Sequence, residues 1–296
     1  MVSFAIAGLQ MDLRAEDNLA RIATEVAATK RRFPWIDLII LPELAAYGPS
    51  TAHAEAPGGR AELAFRQIAR DNRIHLLPGS LFQVENGQTF NVTPVIDPSG
   101  TVVARYRKMF PFRPFEEGVA SGDAFCVVPI GAVPAGDFLA DRSVTGRFGV
   151  SICYDLWFPE ITRSLAWMGA EVLLCPSLTN TIDRDVELSM ARASAAANQC
   201  YVINVNAGAP MGVGKSIVCG PGGEVIHQAA SGYEVFVIDL DFDYVRRVRR
   251  QGWQGLGQPL KSFRDNKVKF PAYQDGAEST HLNQLGALTQ RTTKVL

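Results

Sequence analysis

The sequence predicts an α/β protein in which sheets of mixed strand direction are layered against helices. About ten short apolar runs rich in β-branched residues recur along the chain and are typical of strands. Segments of helical period separate some of these runs, which makes the flanking strands parallel neighbours. Tight turns at residues 97–100 and 220–223 join others, which makes those strands antiparallel. Because both kinds of connection occur, we expect a layered sandwich with mixed sheets.

Each element is predicted from a local pattern. The strand candidates, in chain order, are residues 4–10, 38–41, 75–82, 92–96, 102–106, 148–153, 172–175, 201–205, 217–219 and 235–240. Helical segments place apolar residues three or four positions apart, as at Leu19, Ile22 and Val26. Two more such segments cover residues 61–68 and the alanine-rich stretch 186–198. Pro159 followed by Glu160 predicts the start of a further helix.

Length and composition set the domain organisation. The chain has 296 residues, 47% of them hydrophobic, which allows one large domain or two small ones. Residues 1–260 show no repeat, linker or sharp shift in composition, and we interpret them as a single domain. Residues 261–296 are more polar and less periodic, and we expect them to wrap the surface or a partner subunit.

Charge and cysteine content weigh against several classes of function. The 29 basic and 30 acidic residues nearly cancel, so binding to nucleic acid or to a membrane surface has no electrostatic support. The N-terminal residues favour a first buried strand over a signal peptide, and no apolar run approaches the roughly 18 residues of a membrane span. The five cysteines include no Cys-x-x-Cys pair, which favours free thiols in a reducing cytoplasm. The four histidines show no metal-ligand spacing.

Three residues at strand ends together supply the groups for nucleophilic catalysis. An apolar strand runs into Cys153, and the sharp turn after it would present backbone N–H groups to a substrate oxygen. Glu43 follows an apolar run, at the end of a buried strand where ligands bind in open α/β folds, and Lys108 ends the strand run 101–108. A free thiol has a pKa of about 8.5, so it needs a carboxylate to accept its proton and an ammonium to hold the oxyanion. Each residue alone is explained by the core or the surface, whereas the combination favours catalysis.

With these residues in place, the sequence resembles the nitrilase superfamily, the carbon-nitrogen hydrolases. The resemblance covers roughly residues 4–245 and rests on short stretches in a fixed order, at residues 41–44, 79–80, 91–100, 106–108, 150–160 and 169–177. It implies the mixed-sheet α-β-β-α sandwich of the nitrilase type. It also implies that Glu43 is the general base, Lys108 the oxyanion-stabilising lysine and Cys153 the nucleophile.

A second glutamate follows the lysine in many members of this superfamily and positions the groups around it. Counting forward from Lys108, as in the aliphatic amidase branch, selects Glu116. Counting back from Gly122 selects Glu117 instead. We favour Glu116 and interpret Glu117 as a solvated neighbour.

Two aromatic residues after the cysteine are candidates for substrate binding, Tyr154 and Trp157. Many members of the superfamily carry arginine where this chain has Trp157, so the resemblance carries over no arginine-based role there. The sequence leaves open whether Trp157 forms a pocket wall or part of the core.

The resulting hypothesis is hydrolysis of a small amide carbon-nitrogen bond through a cysteine thioester, releasing ammonia or an amine and a carboxylic acid. It requires no metal and no organic cofactor. Nitrile hydrolysis, carbamoyl-amide hydrolysis and N-acyl transfer use the same thioester, and a silent binding subunit is the non-enzymatic alternative. The spacing of Lys108 and Glu116 favours the amidase. The resemblance also implies a homodimer or larger homo-oligomer, with a small amide or nitrile as its ligand.

Overall fold

A computed structural model describes residues 4–113, 115–133 and 144–288 of the chain. Its strands are β1 (Phe4–Gln10), β2 (Leu38–Ile40), β3 (His75–Leu77), β4 (Leu81–Glu85), β5 (Gln88–Ile96), β6 (Val102–Arg107), β7 (Val119–Ala120), β8 (Cys126–Gly131), β9 (Thr145–Val150), β10 (Val172–Ser177), β11 (Tyr201–Asn206), β12 (Ile217–Cys219), β13 (Val225–Gln228) and β14 (Glu234–Leu240). Its α-helices are α1 (Leu19–Arg32), α2 (Arg60–Asn72), α3 (Pro159–Trp167), α4 (Asp183–Asn198), α5 (Phe242–Gln251), α6 (Pro259–Asp265) and α7 (Thr280–Asn283).

The strands form two mixed sheets, as predicted. The first sheet has the order β14-β1-β2-β3-β5-β4, and β6 and β7 also pair with β5. The second has the order β13-β12-β11-β10-β9-β8. In both sheets, consecutive strands joined through a helix are parallel, namely β1 to β3 and β9 to β11. The two turns predicted at residues 97–100 and 220–223 join antiparallel pairs, β5 with β6 and β12 with β13.

The two sheets pack face to face between two layers of helices. Phe4 of β1 and Phe148 of β9 meet in the core between the sheets, with ring centroids 5.1 Å apart. On the outer face of the first sheet, Ile22 of α1 packs in a second cluster, and on the outer face of the second sheet, Leu165 of α3 packs in a third. The central strands are buried on both faces, which is why their sequences are continuously apolar. This confirms the α-β-β-α sandwich.

Several strand boundaries differ from the sequence prediction. The single strand expected at residues 75–82 is two strands, β3 and β4, separated by a Pro-Gly-Ser segment. The strand expected at 148–153 ends at Val150, before Cys153. The edge strands β8 and β13 were not predicted. Both are partly exposed, and β8 contains a proline, so neither shows the apolar pattern of a buried strand.

The described part of the C-terminal segment lies against the outer helices of the second sheet. Phe263 of α6 packs edge-on against Trp167 of α3, with ring centroids 5.8 Å apart. The Tyr273 hydroxyl donates a hydrogen bond of 2.9 Å to Glu160 Oε1. The division of the chain after residue 260 stays a prediction, and the end of the predicted extension, residues 289–296, lies outside the described residues. None of the helices in the described ranges is both long enough and apolar enough to cross a membrane.

Candidate active site

The structure brings together Glu43, Lys108 and Cys153 just beyond the carboxyl ends of three strands. Glu43 comes three residues after the end of β2, Lys108 directly follows β6, and Cys153 comes three residues after the end of β9. Lys108 Nζ donates a hydrogen bond of 2.8 Å to Glu43 Oε1. The three side chains are buried, and they line one cavity. The two sheets therefore contribute to one constellation, with Cys153 from the second sheet facing Glu43 and Lys108 from the first.

Glu116 completes a buried ion-pair network, and Glu117 does not. Glu116 Oε2 lies 2.6 Å from Lys108 Nζ, so the lysine bridges two carboxylates. The same oxygen accepts a hydrogen bond of 2.6 Å from the backbone N–H of Phe112. Glu117 is exposed. The structure thus places the favoured glutamate in the site, and its positioning role stays a prediction.

Asn91 is a site residue for which sequence reasoning gave no role. It is fully buried on β5, and its Nδ2 atom donates to Glu43 Oε1 at 2.9 Å and to Glu116 Oε1 at 2.7 Å. The amide therefore holds the two carboxylates at a fixed separation around Lys108. A polar residue between the apolar Phe90 and Val92 was the available signal, but that pattern alone does not say what the side chain contacts.

The loop that carries Glu43 is fixed by a close backbone approach. Gly79 has a φ of +75°, and a Cβ atom at this position would lie 1.7 Å from the carbonyl oxygen of Pro42. Only glycine tolerates both the left-handed conformation and this contact. The backbone N–H of Glu43 donates to the carbonyl of Ser177, at 3.2 Å, which ties the loop to the second sheet.

Cys153 occupies a strained turn that Asp155 holds in place. Its φ of +46° is rare for a residue other than glycine, and it begins the 3₁₀ turn Cys153–Trp157. Asp155 Oδ2 accepts hydrogen bonds from the backbone N–H of Ile152 at 2.9 Å and from the hydroxyl of Tyr106 at 2.7 Å. Asp155 Oδ1 accepts from the N–H of Phe110 at 2.9 Å. Burial raises the pKa of Asp155 to about 6, against the lowering effect of these donors. The sequence alone did not predict this role of Asp155.

Burial and the nearby charges set the protonation of the three groups. Burial raises the pKa of Glu43, and Glu116 adds to this, while Lys108 opposes it. Burial alone would lower the pKa of Lys108, but Glu43, Cys153 and Glu116 carry it above its ordinary value, so the amine stays an ammonium. Burial also raises the pKa of the Cys153 thiol well above its ordinary value. The resting site therefore holds a neutral thiol beside a base and a fixed cation.

These groups face a cavity of about 520 Å³ with an aromatic wall on one side. Tyr154 and Trp157 both line it, with ring centroids 5.9 Å apart, and Phe112 and Phe115 extend the same wall. Trp157 is thus part of the cavity wall, although substrate binding by either aromatic stays a prediction. The rest of the lining includes Thr179, Asn180, Thr181, Asp183, Glu187 and Met211.

The four other cysteines lie outside this cavity. All are buried free thiols, and burial raises the pKa of Cys126 and Cys175 to about 11 and of Cys200 and Cys219 to about 12. They are therefore unreactive at neutral pH. In the parts of the chain that the structure describes, no three or more His, Cys, Asp or Glu side chains are grouped so that they could hold a metal ion.

The fold is that of the nitrilase superfamily. Nit3 from Saccharomyces cerevisiae, a member of branch 10 of that superfamily, superposes with a TM-score of 0.73 at 24% identity, covering 84% of this chain and 93% of Nit3. The amidase from Nesterenkonia sp. AN1 superposes with a TM-score of 0.71 at 27% identity, covering 83% of this chain and 94% of that one. In that structure, a glutamate-to-glutamine mutant, the acetamide moiety of fluoroacetamide is covalently added at the active-site cysteine.

Sequence comparison gives the same class. The omega-amidase NIT2 of Pongo abelii is 26% identical over 274 residues, which span 85% of this chain and 93% of that protein. The family model for carbon-nitrogen hydrolases matches residues 4–250. The chain belongs to the carbon-nitrogen hydrolase family and is an enzyme of that class.

Proposed function

We propose that this enzyme hydrolyses the carbon-nitrogen bond of a small amide through a thioester on Cys153. The observation that carries the proposal is the buried Lys108 ammonium, which bridges Glu43 and Glu116 in the cavity that the thiol faces. Two of the similar proteins named above are amidases, and one of these carries the acetamide moiety of a small amide on its cysteine, which supports an amide over a nitrile as substrate. Nitrile hydrolysis and acyl transfer share the thioester and are separated from amide hydrolysis by their products.

In the proposed mechanism Glu43 accepts the thiol proton as Cys153 attacks the amide carbon. An ammonium has three N–H donors, and Lys108 donates two of them to Glu43 and Glu116. The third is left for the oxyanion, together with the backbone N–H that follows Cys153. The tetrahedral intermediate collapses to a thioester as Glu43 returns the proton to the leaving ammonia or amine. Glu43 then activates a water molecule, which releases the carboxylic acid and restores the thiol.

We infer that the non-reacting end of the substrate carries no negative charge. Among the described residues that line the cavity, Lys108 is the only Lys or Arg, and its charge is already taken up by two carboxylates. Asp183 also lines the cavity, and so does Glu187, which forms an ion pair with Arg184. An anionic group held in this cavity would therefore be repelled. We also infer a cytoplasmic setting, because all five cysteines are free thiols.

The test is ammonia release from small amides such as formamide, acetamide and propionamide. Cys153→Ala should abolish release while keeping the fold, because only one sulfur atom is removed. Cys126→Ala, a buried thiol outside the cavity, is the matched control and should retain activity. Fluoroacetamide should add its acetamide moiety at the Cys153 peptide, which mass spectrometry detects. Release at a comparable rate from Cys153→Ala would refute the assignment of the nucleophile.

A further inference from the structure

Three buried residues that the proposed mechanism does not use are linked to the thiol by successive hydrogen-bonding contacts. Thr179 Oγ1 lies 3.8 Å from Cys153 Sγ, in the loop after β10. Both carboxylate oxygens of Glu187, on α4, lie 2.9 Å from that same hydroxyl oxygen. Behind Glu187, the Nη1 atom of Arg184 lies 2.8 Å from Glu187 Oε2. Arg184 is 1% exposed and Glu187 4% exposed, so neither charge is explained by contact with water.

The contacts fix the direction of the hydrogen bonds. A threonine hydroxyl has one proton to donate and lone pairs to accept, whereas an ionised carboxylate can only accept. The Thr179 proton is therefore directed to Glu187, since both carboxylate oxygens converge on it. The hydroxyl then offers only a lone pair to Cys153, so it can accept from the neutral S–H group and cannot donate to a thiolate. The Arg184 guanidinium donates to Glu187 Oε2, so this carboxylate accepts hydrogen bonds from both neighbours.

We propose that Glu187 is a positioning residue that holds Thr179 as an acceptor toward Cys153 and so keeps the resting nucleophile a neutral thiol. The thiolate then forms only when Glu43 removes the proton during attack on a bound substrate. A thiol held in this way reacts with substrate aligned in the cavity in preference to diffusing electrophiles. This inference rests on the proposed function only in taking Cys153 as the nucleophile.

The charges that face the thiol agree with this arrangement. Burial raises the pKa of Cys153 most, and the carboxylates of Glu43 and Glu187 raise it further, whereas Lys108 lowers it. The backbone N–H of Leu178 is a donor that lowers it. Glu43 and Lys108 follow strands of the first sheet, whereas Glu187 lies on α4, which packs against the second sheet.

The deciding experiment is the pH profile of iodoacetamide alkylation at the Cys153 peptide, followed by mass spectrometry. Thr179→Val removes the hydroxyl and leaves the Arg184 and Glu187 pair intact. If the hydroxyl only accepts, this variant leaves the midpoint of the profile unchanged or lowers it. If the hydroxyl donates to the thiolate, the midpoint rises, which would overturn the proposal. Thr179→Ser keeps the hydroxyl and should match the wild type.

Glu187→Gln reverses the direction of the hydrogen bonds. The amide oxygen pairs with Arg184, the NH₂ group turns to Thr179, and the threonine proton becomes free to donate to sulfur. The midpoint should fall by about one pH unit, because a carboxylate charge is lost and a donor is gained. In this background Thr179→Val should raise the midpoint, opposite to its effect in the wild type. Asp185→Asn, an exposed acid on the same helix, is the matched control and should leave the midpoint in place.

The outcomes separate this inference from the proposed function. An unchanged or raised midpoint in a folded Glu187→Gln refutes the inference, whatever the variant does to turnover. If Glu187→Gln does not fold, the direction of the shift in Thr179→Val decides alone. Continued turnover by Cys153→Ala would instead refute the proposed function, while the alkylation profiles would still report the hydrogen-bond direction at this thiol.

Discussion

At the scale of single residues, Lys108 is the group whose charge organises the cavity. A buried ammonium is costly unless opposite charges and hydrogen bonds compensate it, and here Glu43 and Glu116 do so at 2.8 and 2.6 Å. The same two bonds fix which of the ammonium protons remains for a substrate oxygen. Glu116 therefore acts through the lysine, and its removal should affect catalysis more than folding.

Glu116→Gln and Glu117→Gln form a matched pair of adjacent substitutions. The first removes one of the two charges that hold Lys108, so the ammonium shifts toward Glu43, and we expect a loss of kcat of about 10²-fold from its misplacement. The second changes an exposed side chain and should leave kcat unchanged. Steady-state kinetics on one amide give both values. Equal activity of the two variants would contradict the role of Glu116.

The sequence predicted Glu43 and Cys153 because a charge or a thiol stands out at the end of an apolar run, and it predicted Lys108 from its place at a strand end together with the family resemblance. It could not decide between Glu116 and Glu117, since the segment that carries them is irregular and its periodicity does not tell which side chain points inward. The sequence did not identify Asn91 and Glu187 as residues of the site, for a different reason. Their roles depend on contacts with residues distant in the chain, and no local pattern encodes such contacts.

At the scale of elements, the segment between β3 and β4 sets the position of Glu43. The sequence predicted one strand here, because apolar residues flank the Pro-Gly-Ser segment on both sides, and apolar patterning does not register the left-handed φ at Gly79. The edge strands β8 and β13 were missed for the related reason that they are partly exposed to water. The central strands and the two turns at residues 97–100 and 220–223 were predicted well, since burial on both faces and turn residues leave a clear sequence pattern.

Gly79→Ala tests this segment, and Gly87→Ala, in the turn between β4 and β5, is its matched control. Both glycines have a positive φ, +75° and +77°. At Gly87 nothing lies within 4 Å of an added Cβ. Gly87→Ala should therefore lower the free energy of unfolding only by the cost of placing alanine in the left-handed conformation, about 1 kcal/mol. At Gly79 the Cβ meets the carbonyl oxygen of Pro42, so we expect a further loss of about 1–3 kcal/mol and reduced kcat as Glu43 moves. Urea unfolding and kinetics measure both effects. Similar unfolding free energies would rule out the close approach as a constraint.

At the scale of the whole molecule, an apolar face is left on the outer helices of the second sheet. It surrounds a cavity of about 800 Å³ between α3, α4 and the C-terminal segment, and its exposed side chains include Trp167, Phe270 and Tyr273. Monomeric proteins rarely expose contiguous apolar patches of this kind. We therefore expect the chain to form a homodimer or larger assembly through this face.

Sedimentation velocity at micromolar concentration tests the assembly. The wild type should sediment as a dimer or larger species, and Trp167→Asp should shift it toward the monomer, because a charge would be buried in the apolar contact. Leu63→Asp changes an exposed leucine on α2, on the outer face of the first sheet, and should not alter the distribution. A strictly monomeric wild type would remove the prediction.

The charge of the cavity as a whole predicts which amides the enzyme accepts. Valeramide, glutaramate and 5-aminovaleramide have similar lengths and end in a methyl group, a carboxylate and an ammonium. At an effective dielectric constant near 20, two unit charges a few ångströms apart have an interaction energy of about 2–4 kcal/mol. We therefore expect kcat/KM for glutaramate to be at least about tenfold below that for valeramide, and 5-aminovaleramide to equal or exceed valeramide.

Asp183→Asn should narrow the difference in kcat/KM between glutaramate and valeramide. It removes an acid of the cavity wall that forms no ion pair with a lysine or arginine among the described residues. Asp185→Asn removes an equal charge two residues away, outside the cavity lining and paired with Lys215, so the ratio of the two kcat/KM values should stay that of the wild type. If glutaramate were the best of the three substrates, a cation from outside the described cavity wall would have to bind its carboxylate, and the inferred charge selection would be wrong.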